Sequence, residues 1–307
     1  MAVVPTPGPK GPRRSLHFVP GGNSRMFERA LELDADTLIL DLEDSVTPEN
    51  KESARRTVCK WIEQADFGAK ECLIRINPQN SPWGRDDVEA IIELHPDGLI
   101  LPKVISRANV DAVDQVVRSL EVQNNVQPGA TSLVLIGTEV PEAVFCLADM
   151  AGNTRVDGLT WGAEDLAGEL GARAKRTAEG AYLDVFRFVR SSCLLAAAAN
   201  QVHPIDTVFV ELKDQAALER ECAEAALMGF MGKLTIHPTQ IDVVNRAFTP
   251  SEVEVAAARE LLLAFTEAKS NGKMAFSFRG QMVDVPHLKR ARKVIAIAEK
   301  IDSQRHS

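Results

Sequence analysis

Thr37-Leu38-Ile39-Leu40-Asp41-Leu42-Glu43-Asp44 is the stretch on which the fold turns. Thr37 to Leu42 has the length and apolar character of a buried strand, and it runs straight into carboxylates. Helical spacing then takes over from Pro48 to Gln64. Thr47 suits the N-cap, Pro48 the first turn, and Glu49 the positive end of the helix dipole. A strand, an acidic tip and a helix make up one unit.

The unit recurs in both directions. Upstream, Leu16 to Pro20 is a strand ending in Pro-Gly-Gly, and Ser24 to Leu33 can place Met26, Ala30 and Leu33 on one helical face. Downstream, the predicted strands are Cys72–Ile76, Gly98–Leu101, Leu133–Ile136, Val156–Trp161, Ile205–Val210 and Leu234–Ile236. Helical patterns separate or follow them at Asp86–Leu94, Ala108–Leu120, Glu142–Met150, Tyr182–Asn200, Gln215–Met228 and Ile241–Phe248. Strands alternating with helices imply a parallel sheet. Eight units in roughly 230–250 residues predict an α/β fold, a closed (β/α)8 TIM barrel, rather than a doubly wound open sheet.

Three segments are expected. Residues 1–13, rich in Pro and Gly, read as a flexible lead. Residues 14–249 form the barrel. Residues 250–307 form a C-terminal helical extension with helices at Glu252–Ser270 and Leu288–Ile301, and an irregular Met274–Pro286 stretch between them. The extension is too small for a separate domain and reads as a cover or an arm on a neighbouring subunit.

Of 307 residues, 45% are hydrophobic and 25% charged, ordinary values for a globular protein. A net charge of −8 without a basic stretch argues against nucleic-acid binding, which needs clustered cations. No apolar run approaches the roughly 20 residues of a bilayer span, and the N-terminus lacks a signal-peptide core. The five cysteines Cys59, Cys72, Cys146, Cys193 and Cys222 have no metal-site spacing, as expected of free thiols in the cytoplasm.

The polar residues carry the functional reading. In a (β/α)8 barrel the site lies at the C-terminal ends of the strands. There the chain collects Asp41, Glu43 and Asp44 after strand two, and Arg75 and Asn77 at strand three. Lys103 follows strand four, Glu139 strand five, Glu164 and Asp165 strand six, and His237-Pro238 strand eight. Carboxylates crowded at one mouth repel each other and raise each other's pKa. A hard dication such as Mg²⁺ relieves this, held by one or two carboxylates plus water and substrate oxygens. Glu139 and Asp165, on adjacent strands, are the expected ligand pair, with Asp44 holding a metal water; the same acids could instead cap helices or pair with Arg and Lys. Arg75, in an otherwise apolar strand, needs a partner, either a barrel acid or a substrate oxyanion. Lys51 and Arg55 form a small cationic patch on one helix face. His17 reads as a satisfied interior histidine. No P-loop, dinucleotide fingerprint, nucleophile elbow or zincin motif is present.

Several stretches resemble the citrate lyase β-subunit-like family, part of the HpcH/HpaI aldolase/citrate lyase superfamily. They are Arg14-Ser15-Leu16-His17-Phe18-Val19-Pro20-Gly21, Leu40-Asp41-Leu42-Glu43-Asp44-Ser45-Val46, Arg75-Ile76-Asn77, Trp161-Gly162-Ala163-Glu164-Asp165-Leu166 and Ile236-His237-Pro238-Thr239-Gln240. The resemblance implies a Mg²⁺-dependent barrel, trimeric or hexameric, with Glu139 and Asp165 as metal ligands. It also implies Arg75 at the substrate and Asp44 supporting the metal waters. It sets Arg14, Lys51, Arg55, His237 and Pro238 at the CoA or substrate carboxylate.

The segment Gly280-Gln281-Met282-Val283-Asp284-Val285-Pro286 resembles the malyl- and citramalyl-CoA lyase branch. There the aspartate matched by Asp284 serves a neighbouring subunit's site as acid/base. The implied activity is carbon–carbon cleavage or formation of a 3-hydroxyacyl-CoA, giving a 2-keto acid and an acyl-CoA. The alternatives are a citrate lyase β subunit acting on a carrier, a synthase or thioesterase variant, and a regulatory barrel. Val140, Ala143 and His17 depart from the family's usual residues and bear on the substrate.

Overall fold

The computed structural model describes residues 9, 11–270 and 275–305. Eight parallel strands close into a barrel in sequence order, β1 through β8 and back to β1. They are β1 (Ser15–Pro20), β2 (Thr37–Asp41), β3 (Glu71–Arg75), β4 (Gly98–Leu101), β5 (Ser132–Ile136), β6 (Val156–Thr160), β7 (His203–Asp206) and β8 (Gly232–Thr235). The helices between them are α1 (Ser24–Leu31), α2 (Lys51–Gln64), α3 (Gly84–Ile92), α4 (Arg107–Gln123), α5 (Pro141–Val144), α6 (Leu147–Ala151), α7 (Ala163–Glu169), α8 (Asp184–Asn200) and α9 (Gln215–Met228). After β8 comes α10 (Ile241–Phe248). The closed (β/α)8 barrel is the predicted fold. Among the described residues no helix is long and apolar enough to cross a membrane.

Period-2 alternation explains the barrel interior. Leu16, Ile39, Leu73, Ile100, Val134, Ile205 and Leu234, one from each of seven strands, pack with Ile136 into a fully buried plug. Burying each such side chain contributes roughly 1.5–3 kcal/mol. The plug separates a floor at the strand N-termini from a mouth at their C-termini.

Arg13 closes the floor. Its guanidinium grips Glu71 through Nε and Nη2 at 2.7 and 2.6 Å, and Asp157 through Nη1 and Nη2 at 2.8 and 2.9 Å. Thr37 donates a further bond to Glu71. A Cβ on Gly232 would lie 1.8 Å from the Arg13 carbonyl, so only glycine lets that backbone pass. Residues 11–13 are therefore buried barrel structure, not a flexible lead. Residues 1–8 and 10 of that lead lie outside the described residues.

Three elements differ from the sequence reading. β7 begins at His203, includes Pro204 and ends at Asp206, earlier than expected. Asp206 is drawn to Lys233 of β8 and Arg190 of α8, at 2.9 and 3.1 Å. The Glu142–Met150 helix breaks into α5 and α6. A short helix, α7, starts directly at Ala163, beside the acids.

The chain divides into two compact units, Met1–Asn245 and Arg246–Ser307. In the second, α11 (Glu252–Ser270) packs with α12 (Val285–Arg305). An antiparallel hairpin of β9 (Phe276–Phe278) and β10 (Gln281–Val283) joins them. Phe265 and Phe276 sit 6.3 Å apart between ring centres, and Arg279 pairs with Glu260. Met274, where the irregular stretch was expected to start, lies outside the described residues.

Candidate active site

The mouth is built around the β2 tip. Asp41 takes the Arg75 guanidinium in a two-pronged grip, Nε and Nη2 each at 2.7 Å. Burial alone would raise the Asp41 pKa; the adjacent Arg75 charge outweighs it and lowers the value. The third guanidinium nitrogen of Arg75 lies 3.0 Å from Glu43 and 3.7 Å from Asp44, and its carbon stands 4.7 Å above the Phe18 ring. Of the two partners foreseen for Arg75, the barrel acid is the one observed; the side chain also lines the cavity.

Lys51 and Asn77 set the direction of this tip. Lys51 donates to the carbonyls of Leu42 and Glu43 at 3.0 and 2.7 Å, and Asn77 donates to Leu42 at 2.9 Å. Asp87 accepts from Arg55 Nε at 2.7 Å and from Asn77. The cationic patch expected of Lys51 and Arg55 is therefore spent inside the fold, where it braces the loop that carries Glu43 and Asp44.

Glu139 is 3% exposed, beyond the end of β5. Burial first, then the Glu43 and Asp165 charges, push its carboxyl up to about 8. It accepts a 2.6 Å bond from the Lys103 backbone N–H. Gly162, leaving β6, approaches so closely that a Cβ there would lie 2.6 Å from Glu139 Cγ. Gly162 N–H donates to Thr138 Oγ1 at 3.0 Å, and Trp161 Nε1 donates to Asp206 at 2.8 Å. These bonds fix the backbone that delivers Asp165 at the start of α7. The pair expected from adjacent strands therefore does converge on one mouth.

Asp41, Asp44, Arg75, Glu139, Trp161 and Asp165 all line one cavity of about 420 Å³, with apolar walls from Ile136, Val208 and Ile236. That volume suits a small organic ligand. Among the described residues no closed set of three or more His, Cys, Asp or Glu ligands exists. What the mouth offers is an open, all-oxygen arrangement of carboxylates.

Other expected residues fall elsewhere. Arg14 precedes β1, and its guanidinium is bound by Asp36, which precedes β2, at 2.7–2.8 Å. It belongs to the floor end, opposite the mouth, and the placement at CoA is corrected accordingly. His237 bonds Thr239 at 2.8 Å and caps a 3-10 turn, Pro238–Gln240; the cavity wall stops one residue earlier, at Ile236. His17 faces outward from β1, buried, with Nδ1 3.0 Å from Thr235 Oγ1. Asp284 is half exposed at the start of α12, 2.8 Å from His287 Nδ1. Sequence reasoning left Lys103 and Asp41 without a role. Their position at strand ends was the available signal.

Barrel, mouth and cavity define an enzyme-like site of the acid-lined type. The chain belongs to the HpcH/HpaI aldolase/citrate lyase family, whose model matches residues 14–238. A (3S)-malyl-CoA thioesterase of Cereibacter sphaeroides is 35% identical over 96% of this chain and 98% of its own length. The mitochondrial citramalyl-CoA lyase of Homo sapiens is 33% identical, over 94% of this chain and 86% of its own. In three dimensions the chain is similar to the protein CitE of Mycobacterium tuberculosis, solved in complex with magnesium, acetoacetate and coenzyme A. The TM-score is 0.75 and the identity 33%, covering 94% of this chain and 98% of that one.

Proposed function

We propose that the protein is a Mg²⁺-dependent carbon–carbon lyase. It would cleave a 3-hydroxyacyl-CoA of the malyl- or citramalyl-CoA kind to a 2-keto acid and an acyl-CoA, or run the reverse condensation. The observation that carries the reading is Glu139: a carboxyl buried at the mouth beside Asp165 and Glu43, its pKa pushed up first by burial and then by those two charges. The donors are hard oxygens with room for substrate, which fits magnesium; Glu139 and Asp165 would hold the ion, with Asp44 beside them. The bound ion would supply Lewis-acid polarisation of the oxygen on the carbon being cleaved.

The chain's own residues do the rest. The carbinol hydroxyl gives its proton to solvent water and becomes the keto carbonyl, the bond between the thioester α-carbon and the carbinol carbon breaks, and its electron pair passes to the α-carbon as an enolate. Arg75, locked by Asp41, offers its remaining N–H groups to the developing negative charge. Asp284, contributed by a neighbouring subunit of a homotrimer or hexamer, returns a proton to the α-carbon. The buried or half-buried free thiols suit a reducing, cytoplasmic setting.

Incubation with Mg²⁺ and a panel of malyl- and citramalyl-CoA stereoisomers, read by mass detection, tests the reaction. Keto acid plus acyl-CoA is the expected outcome. Free hydroxy acid plus CoA would instead give the thioesterase outcome that the Cereibacter relative's name favours. Asp284→Asn should slow exchange of the acyl-CoA α-protons about a hundredfold or more while leaving metal binding intact.

A further inference from the structure

Lys103 adopts a left-handed backbone, φ 51°, a region that side-chain-bearing residues visit sparingly. It follows Pro102 at the end of β4. From there, one residue reaches the acids of the mouth by two routes. Its backbone N–H donates to Glu139. Its ammonium pairs with Glu43 and stands 3.3 Å from Asp44 and 3.5 Å from Asp165.

We propose that Lys103 is a built-in competitor for the divalent cation: its ammonium partly offsets the charge of the acid cluster when the mouth is empty, and must leave Asp165 for a metal to be taken up. The inference rests on the reading of Glu139 and Asp165 as the metal pair. An ammonium on a four-carbon stem suits the task, being a compact charge that can move and rehydrate, and this one is about one-third exposed. Arg75 cannot serve in the same way, because Asp41 clamps it from below. The arrangement sets metal affinity below what the carboxylates alone would give, and eases the repulsion in the metal-free mouth.

The test is titration of the EDTA-stripped full chain with Mg²⁺ by calorimetry, for wild type, Lys103→Met and Lys103→Arg, with melting curves with and without saturating Mg²⁺. Removing a unit charge a few ångströms from the ligands should tighten Mg²⁺ binding about tenfold or more in Lys103→Met. Its melting point should fall below wild type without metal and return to it with Mg²⁺. Lys103→Arg, which keeps the charge, should bind Mg²⁺ no more tightly than wild type. Unchanged or weaker Mg²⁺ binding in Lys103→Met, or a melting deficit that persists at saturation, overturns the proposal. A wild type that takes up no Mg²⁺ at all overturns it together with the metal-pair reading, whereas normal wild-type binding with a flat Lys103→Met response removes Lys103 alone.

Discussion

The two ends of this barrel handle buried carboxylates in opposite ways. At the floor, one guanidinium satisfies all four oxygens of Glu71 and Asp157, and nothing is left to recruit a ligand. At the mouth, Asp41, Glu43, Asp44, Glu139 and Asp165 gather where Arg75 and Lys103 are the cations forming ion pairs, and a cavity of about 420 Å³ opens among them. The floor groups are matched for stability. The mouth is left short of positive charge, and under the proposed function it is where a cation would be taken up. Such a shortage costs folding energy, because buried like charges raise one another's pKa. The same fold therefore holds a structural ionic cluster and a chemical one, separated by a single apolar plug.

Substitutions at each end should give opposite signatures. Glu139→Gln or Asp165→Asn should lower turnover about a thousandfold or more, equivalent to roughly 4 kcal/mol of barrier. The melting point of the metal-free protein should hold or rise: Asp165→Asn removes a repelling charge, and Glu139→Gln replaces a carboxyl already pushed up to about 8 with a neutral group of the same shape. Parallel assays and melting curves check this; a folded, fully active variant would erase the distinction. Arg13→Met should do the reverse. Stranding Glu71 and Asp157 without a partner should cost about 3–5 kcal/mol in urea unfolding, with KM unchanged in the folded fraction. A small loss there would mean that the floor contributes little.

The smallest effect concerns His17, on the outer wall in the middle of β1. Burial first, then the neighbouring His237, lower its pKa to about 4. The folded protein thus binds this proton more weakly than the unfolded chain does. His17 contributes stability that is fully present above about 6.5 and declines as the pH falls toward about 4. His17→Leu should flatten that part of the stability–pH curve, measured by urea titration across the range. An unaltered slope would place the acid sensitivity elsewhere.

Much of the barrel was legible because each strand is a short apolar run tipped with polar residues, and each helix carries its own spacing. The limits are equally physical. Arg13 sits in a Pro/Gly-rich stretch that gives no sign of burial, because its partners Glu71 and Asp157 are distant in sequence. β7 starts earlier than its apolar run suggests, with Pro204 inside it, since neighbours rather than composition decide where pairing begins. At the mouth, Glu139, Asp165, Arg75 and Asp44 were readable from strand ends. Arg14 was misread as a mouth residue because motif adjacency does not say which end of a strand a side chain serves. The two-way reach of Lys103 depends on a positive φ, for which Lys in a Pro-Lys-Val context gives no signal.

Under the proposed function Glu139 and Asp165 together take up one divalent cation. Calorimetric titration of EDTA-stripped protein with Mg²⁺, for the wild type and for Glu139→Gln and Asp165→Asn, tests it most directly. Saturable uptake by the wild type, lost in both variants while their melting curves show intact folds, is the predicted result. Uptake that survives both substitutions, or a wild type that binds no Mg²⁺, would contradict it.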